Sequence, residues 1–489
     1  MNRRSTLFFR QSSSSISSLP LAFAIALPLI LITGCGGSST STPQVGNTVV
    51  TVLASGTANN QLSQFRLAVT SLTLANKSGK TVTVFSTPES AEFTHLNSTM
   101  EPLYATEIPQ DVYTSATVTL EPSGYPECVG FDPAENDLLI NGSIGSYAYP
   151  LTPVVNLPAP IAVAGAGMGL ALNLQVSESI SSFNCTSVAG SASITPTFNL
   201  TPITIVAQPT NSSNGIATGL RGLIDTVTAN GTNFSVTAAD GPSWQVNTGA
   251  GTEFQGISGA SQIAAGLPVD MDVAIQQDGA LLATRVAVYD TNTANLSVIS
   301  GPLLEVSPSV TALLTIFDQN QGPLFSGLPE GPYNFNFSNA AFQTSDQLAN
   351  LQTLPFTPSF TASNMVPGQA VLLTTHATAF SAYIPATTVT LVPQTVNGTV
   401  AAISASGGFT TYSVTLAAYD LFPDLALQPG PPSLLKNPNT VVVYVDSNTQ
   451  LLNSDPVAVG SLLRFNGLVF NDNGPLRMDC AQISDGVTE

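Results

Sequence analysis

Charge is scarce in this chain: only 8% of its 489 residues are Asp, Glu, Lys or Arg. Basic residues are the scarcer kind, 11 against 30 acidic, for a formal net charge of −19. Three of them, Arg3, Arg4 and Arg10, sit at the extreme N-terminus. A groove that follows phosphates needs clustered Lys and Arg, yet residues 218–489 hold only Arg221, Arg285, Lys436, Arg464 and Arg477. The balance therefore argues against nucleic acid and anionic membrane surfaces as partners. Catalytic side chains are equally thin. His95 and His376 are the 2 histidines, and Trp244 is the 1 tryptophan. There is no H-E-x-x-H, C-x-x-C or G-x-x-x-x-G-K-[ST], and "GISGA" at Gly256 lacks the last glycine of G-x-S-x-G. His95, in "EFTHLNS", reads as a satisfied surface or edge residue. His376, in "LLTTHATAF", alternates with Thr374 along one strand and reads the same way.

No apolar run is long enough to span a bilayer. Leu19 to Thr33 is about 15 residues, against the roughly 20 a helix needs, and Pro20 and Pro28 interrupt it. With the basic residues before it and "GGSST" after it, this stretch reads as a secretory signal. Its end, Ile32-Thr33-Gly34-Cys35, resembles the bacterial lipobox: a branched apolar residue, two small ones, then Cys. The resemblance implies that the Cys35 thiol receives diacylglycerol, that cleavage follows Gly34, and that the new N-terminus is acylated. Residues 1–34 are then a lipoprotein signal peptide and 35–47 a flexible tether. At about 0.8 kcal/mol per buried CH₂, three acyl chains hold a protein on a membrane without a helix. Gly36, where an Asp would imply retention at the inner membrane, points to the outer membrane. The expected location is the bacterial cell envelope, on the periplasmic or surface face.

Cysteine is sparse too. Beyond Cys35 there are Cys128, Cys185 and Cys480. In an oxidising compartment the expected disulfide is Cys128–Cys185, which leaves Cys480 as a buried thiol.

What the chain has in plenty is Val, Thr, Gly and Pro. These favour strands and turns, and no stretch keeps a 3.6-residue apolar period. The expected fold class is all-β: an N-terminal antiparallel β-sandwich followed by three small OB-like β-barrel repeats. The sandwich, 48–208, rests on alternating runs such as "NTVVTVLASG", "FRLAVTSLTLAN", "KTVTVFST" and "MGLALNLQVSES". "FRLAVTSLTL" and "IPQDVYTSATVTL" resemble an uncharacterised N-terminal domain of bacterial lipoproteins. That family usually carries a Gly between the Pro and the Tyr, where this chain has Asp111. The resemblance brings no activity with it.

Pro209–Gly215 is polar, and 209–217 reads as a linker. A cadence then repeats. "RGLIDTVTANGTNFSVT" from Arg221 matches "NGTVAAISASGGFTTYSVT" from Asn397; "GAGTEFQG" matches "VDSNTQLLN". Asp278-Gly279 and Asn473-Gly474 signal hairpins between the closing strands. A divergent copy between them runs from "ISGPLLEVSPS" to "NMVPGQAVLLTTHATAF" without that dipeptide. The expected barrels are 218–291, 296–394 and 395–489, three in a row. The pattern resembles an uncharacterised OB-like repeat family of bacterial secreted proteins. Its marks are Gly222, Ile224, Thr252, Phe254, Gly266, Val269, Asp278, Gly279, Leu281, Ala283 and Val286.

Few constellations remain for chemistry. Asp270 and Asp272 stand two apart and share one strand face, with Val269, Met271 and Val273 turned to the barrel core. That face reads as solvated; the alternative is a carboxylate pair for glycoside hydrolysis. Asp132, Glu135, Asn136 and Asp137 share one loop, either a plain acidic loop or a Ca²⁺ site outside the EF-hand spacing. Trp244 either caps a barrel or offers a sugar a stacking surface. No cofactor is implied. The expectation is a lipid-anchored, non-catalytic binding or scaffolding protein, with a glycan or another envelope protein as partner. The alternative is a secreted polysaccharide hydrolase working through aspartate and glutamate acid–base pairs.

Overall fold

In "RLAVTSLTLAN" the apolar spacing is two, then three, then two: Leu67, Val69, Leu72 and Leu74 are all fully buried. A strand alternates faces strictly, so the middle step needs one extra residue in the ladder. The computed structural model has that bulge, between Val69 and Ser71 where the strand pairs with Asp111–Pro122. The structure describes residues 46–57, 62–122, 126–132, 137–141, 145–147, 151, 153–180, 192–239, 241–307, 312–315, 319–326, 333–348, 351–418, 420–425, 437–471 and 474–486. The expected signal peptide and Cys35 lie outside them, as does Cys185. So do the side chain of Cys128 and those of the acidic loop at 132–137.

The fold is all-β. Among the described residues the only α-helices are the short Val176–Ser179 and Leu421–Leu425, and none is long and apolar enough to cross a membrane. The N-terminal sandwich faces two sheets. One runs Val154–Asn156, Thr197–Thr204, Gly167–Leu174, Asn47–Gly56, Glu101–Pro109; the other runs Ile161–Val163, Asp111–Pro122, Arg66–Asn76, Thr81–Phe85. Their inner faces share one core that includes Phe65, Phe93 and Phe198. The first sheet is mixed, because Asn47–Gly56 pairs in parallel with Gly167–Leu174 and antiparallel with Glu101–Pro109. Alternation encodes which face is buried, not strand direction.

The "IPQDVY" run is where the chain leaves one sheet for the other. Glu101–Pro109 ends in the first, Gln110 turns, and Asp111–Pro122 begins in the second. The Tyr113 hydroxyl donates to Pro109 O at 2.9 Å, and Asp111 accepts from Asn76 Nδ2 at 2.8 Å. A tyrosine bonded to the backbone just upstream pins such a corner, and Asp111 fixes it to the neighbouring strand.

Three small closed barrels follow. The first has strands Ile216–Val227, Asn233–Thr237, Ser243–Asn247, a short Glu253–Gln255, Pro268–Ile275 and Leu281–Ala287. The first three form a meander; the fifth pairs with the first, the sixth with the fifth, and a parallel pairing of third and sixth closes the barrel. The last barrel repeats this order with Gln394–Ser406, Phe409–Leu416, Thr440–Val445, Gln450–Leu451, Leu462–Phe470 and Leu476–Asp485. The middle one does so with its last strand broken: Ile384–Pro385 closes on Tyr333–Asn336, and Thr388–Leu391 pairs with Ala341–Thr344.

The repeated residues have one structural job per position. Gly266, Gly368 and Gly460 all have left-handed backbones, with φ of +84°, +93° and +93°. Their N–H groups donate to Ile224, Leu303 and Val400 O at 2.7, 2.7 and 2.8 Å, starting the fifth strand of each barrel against the first. Thr252 and Thr449 also correspond. Each hydroxyl accepts a turn N–H, from Gly249 and Asp446, and donates to the last strand, at Ala283 O and Cys480 O.

Gly266→Ala should cost about 1–2 kcal/mol, the usual penalty for an L-residue held left-handed. Gly368→Ala should cost more, since its Cβ would lie 2.4 Å from the Phe422 ring. Urea unfolding of the two variants checks the order; equal losses would contradict the shared role plus clash.

The expected linker is a packed segment. Asn211 and Asn214 cap the turn Ser212–Asn214, and the Ser212 hydroxyl donates to Gln482 in the last barrel at 2.7 Å. The barrels are also not a row. The sandwich touches the last barrel through Thr395 Oγ1 on Asn97 O at 2.8 Å and Gln482 Nε2 on Ser98 O at 2.9 Å. The middle and last barrels share Phe356 against Phe470 and Tyr444. Trp244, 3% exposed, belongs to the first barrel's core and donates its Nε1–H to Pro102 O of the sandwich at 2.8 Å. It joins two bodies and offers no stacking surface.

Candidate functional site

The four bodies meet around one cavity of about 130 Å³. Each contributes to its wall: His95 and Glu101 from the sandwich, Arg221 from the first barrel, Gln347 from the second, Gln394 and Asn466 from the third.

The sandwich side is built on a turn. Strand Glu89–Glu92 ends at Glu92, whose side chain is fully buried. It accepts the N–H groups of Phe65, Thr94 and His95 at 2.8, 3.0 and 3.1 Å and the Thr94 hydroxyl at 2.8 Å. That fixes "EFTH" so that His95 Nδ1 lies 3.0 Å from Glu92 Oε2 while Nε2 lies 2.9 Å from Glu101 Oε1. Both ring nitrogens face carboxylates, so both carry protons and the ring is an imidazolium. Burial opposes that charge, but Glu101 and Glu92 together hold the imidazole pKa well above its ordinary value. Burial likewise opposes the Glu92 charge, yet His95 and the N–H donors bring its pKa down to about 2. Glu101 Oε2 is buried and has no hydrogen-bond partner among the described residues. The loop then passes Ser98, held left-handed at φ 69°, onto the last barrel.

Arg221 and Gln347 on the wall belong to a charge network between the first and second barrels. Asp270 and Asp272 share the outer face of their strand, and Met271 and Val273 fill the core. That face is not solvated: the second barrel covers it, Asp270 is 0% exposed, and the Asp272 side chain is 13% exposed. Arg221 Nε donates to Asp270 Oδ2 at 3.1 Å. Arg285 binds Asp270 through Nη2, Asp272 Oδ2 through Nε at 2.9 Å, and Asp346 Oδ1 through Nη1 at 3.3 Å. Asp272 Oδ1 also accepts Gly219 N–H at 2.9 Å and Gln347 Nε2 at 3.2 Å. Burial pushes the Asp270 carboxyl up, but Arg285 and Arg221 outweigh it and hold it below its ordinary range. A carboxyl kept ionised by two guanidiniums does not serve as a general acid. Arg221 lines the cavity, and its terminal nitrogens have no hydrogen-bond partner among the described residues.

The remaining expectations resolve locally. His376 sits between Asp290 Oδ2 at 2.9 Å and Ala294 O at 2.8 Å, tying a strand end to the connection before it. Cys480 is buried as expected, and burial pushes its thiol pKa up. Asp479, beside it, is buried near Asp446 and rises to a pKa of about 6. Among the described residues no three His, Cys, Asp or Glu side chains group as a metal site would. Sequence reading missed Glu92, Glu101, Arg221, Asp346 and Gln347. One signal was available, the Glu92-x-x-His95 spacing at the end of a strand.

No family model matches the chain, and no curated protein matches it.

Proposed function

We propose that the chain is a lipid-anchored protein of the bacterial cell envelope. Acyl groups on Cys35 hold it at the outer membrane, and its sandwich and OB-like barrels bind a ligand without transforming it. A glycan is the first partner in this reading, and another envelope protein the second. The observation that carries it is a cavity lined by polar side chains from all four bodies, beside which Asp270 and Asp272 are bound to arginines. Fixed polar walls of this kind suit recognition. Acid–base work by Asp270 and Asp272 would require carboxyls free to exchange protons.

Cys35→Ser should move the protein from the membrane fraction to the soluble fraction, read by immunoblot after ultracentrifugation. Continued pelleting with membranes would remove the anchor. The binding reading is tested on a panel of bacterial and plant polysaccharides, scoring both retention and released reducing sugar. Retention without release supports it, and released sugar promotes the hydrolase. Silence on every glycan directs the search to an envelope protein by cross-linking in the native cell.

A further inference from the structure

We infer that the chain pairs with a second copy of itself through one open strand edge of the last barrel, Ala401–Ser406, laid antiparallel on the same edge of that copy. This contact is independent of the ligand proposed above. In each barrel the first strand leaves the fifth at the same point, Ile224, Leu303 and Val400, and continues against the second strand alone. A bulge follows at once in all three. The continuation ends at Val227 in the first barrel and at Ser307 in the middle one. In the last it runs on to Ser406 and returns through Gly407-Gly408. Both glycines are left-handed, at φ +58° and +91°, as a two-residue hairpin turn requires. The return strand is anchored, because Phe409 is buried with Leu354 and Tyr444. The outgoing run is not. Residues 401–408 are all exposed, and on the side away from the return strand 401–406 have no backbone partner among the described residues.

The register says which groups are open. Ser406 lies opposite Phe409 across the turn, and Ser404 opposite Thr411. Pairs at these positions of a two-residue hairpin bond inward, and the residues between them bond outward. The N–H and C=O of Ile403 and Ala405 therefore face the open edge. Such edges are ordinarily blunted by a charge or a proline. Asp225 and Glu305 stand at the bulge in the other two barrels, whereas this run reads Ala-Ala-Ile-Ser-Ala-Ser. An open row of backbone groups takes an extended backbone. Two copies of a chain with net charge −19 repel each other, so they meet most readily along a stretch without carboxylates. The run is also self-complementary. A twofold axis through Ser404 sets Ile403 opposite Ala405 of the second copy, and Ala405 opposite its Ile403. All four open groups then pair, and each large side chain faces a small one. At about 3.3 Å per residue the run is only about 20 Å long. The contact is thus smaller than a standard interface, and the association is reversible.

The test is disulfide trapping of the purified full chain, oxidised with copper phenanthroline and read on non-reducing gels. Ser404→Cys puts a thiol at the axis, opposite its own copy across a non-hydrogen-bonded pair. Their Cα atoms are then about 4.5 Å apart, within disulfide reach. Ile403→Cys meets its own copy only on the diagonal, at about 7–8 Å, which is beyond that reach. Ser404→Cys should form dimer about 10-fold faster than Ile403→Cys, and about 10-fold faster than Asn339→Cys at an exposed turn of the middle barrel. The unmodified chain gives the background from the native cysteines. Adding Ile403→Lys or Ala405→Pro to Ser404→Cys should slow trapping about 10-fold, the first by a charge on the edge, the second by removing an edge N–H. Trapping at Ser404→Cys no faster than at Asn339→Cys overturns the contact. Trapping that neither added substitution slows overturns strand pairing as its basis. In intact cells, a disulfide from the Ser404→Cys chain to a protein of different mass, in place of the dimer, overturns the second copy as the occupant.

Discussion

Asp270→Ala should lower the unfolding free energy by about 3–5 kcal/mol, the usual cost of removing one partner from a buried ion pair. The carboxylate is fully buried and takes Arg221 Nε at 3.1 Å and Arg285 Nη2. Its removal leaves two guanidiniums at the interface of the first and second barrels, with Asp272 and Asp346 to share Arg285 and no other carboxylate among the described residues on Arg221. Asp346→Ala is the internal comparison. That side chain is 42% exposed and meets Arg285 at 3.3 Å, so its loss should cost under about 1 kcal/mol. Urea unfolding of both variants decides the matter. A loss below 1 kcal/mol for Asp270→Ala would mean that water reaches the network and that the charges do not couple the barrels. The same network bears on chemistry, because each aspartate that sequence offered as an acid or base is already committed to an arginine.

How much of this was legible in the sequence differs by level. Period-2 alternation reported sandwich strands such as Arg66–Asn76, which bury one face, whereas Asn47–Gly56 and Gly167–Leu174 are buried on both; even the bulge at Val69–Ser71 is written as a three-residue step between Val69 and Leu72. The barrels were legible through residues that recur at turns with the same job in each copy: Gly266 and Gly460 start the fifth strand against the first, and Thr252 and Thr449 tie a turn to the last strand. The middle barrel was faint because its last strand is broken around residues 386–387 and its closing loop lacks the Asp-Gly or Asn-Gly signal. What stayed hidden is the packing of one body on another. The face with Asp270 and Asp272 alternates with core residues just as a solvated face does, and nothing local says that Ser345, Asp346 and Gln347 will cover it. His95 was misplaced for the same reason. Glu92 lies three residues before it, but the burial of the triad comes from the sandwich closing over it and the other bodies closing around it.

The Glu92–His95–Glu101 triad should give the protein a pH-dependent stability that His95→Gln reduces. The folded pKa of His95 lies above its unfolded value of 6.5. Its contribution is therefore complete below pH 6.5 and is lost as pH rises from there through the folded pKa, by up to about 1.4 kcal/mol per pH unit. Glu92 has the opposite sign. Its folded pKa of about 2 lies below the unfolded 4.5, so its contribution is present above pH 4.5 and is lost as pH falls towards 2. Asp479 works against it on the acid side: with a folded pKa raised from 3.8 to about 6, it costs stability as pH rises across that interval. Above pH 6.5, Asp479 near the lower end and Cys480 near pH 9 also cost stability as pH rises, but both are common to parent and variant, so the difference between the two curves isolates His95. Urea unfolding at pH 6, 7, 8 and 9 should show the parent losing stability across the series. His95→Gln should be less stable at pH 6 by several kcal/mol, since two buried carboxylates lose the cation between them, and its curve should be flatter. Parallel slopes for parent and variant would mean that the ring is neutral in the folded protein. One carboxylate would then hold the proton, and the wall beside the cavity would carry one charge where two carboxylates and an imidazolium are drawn now.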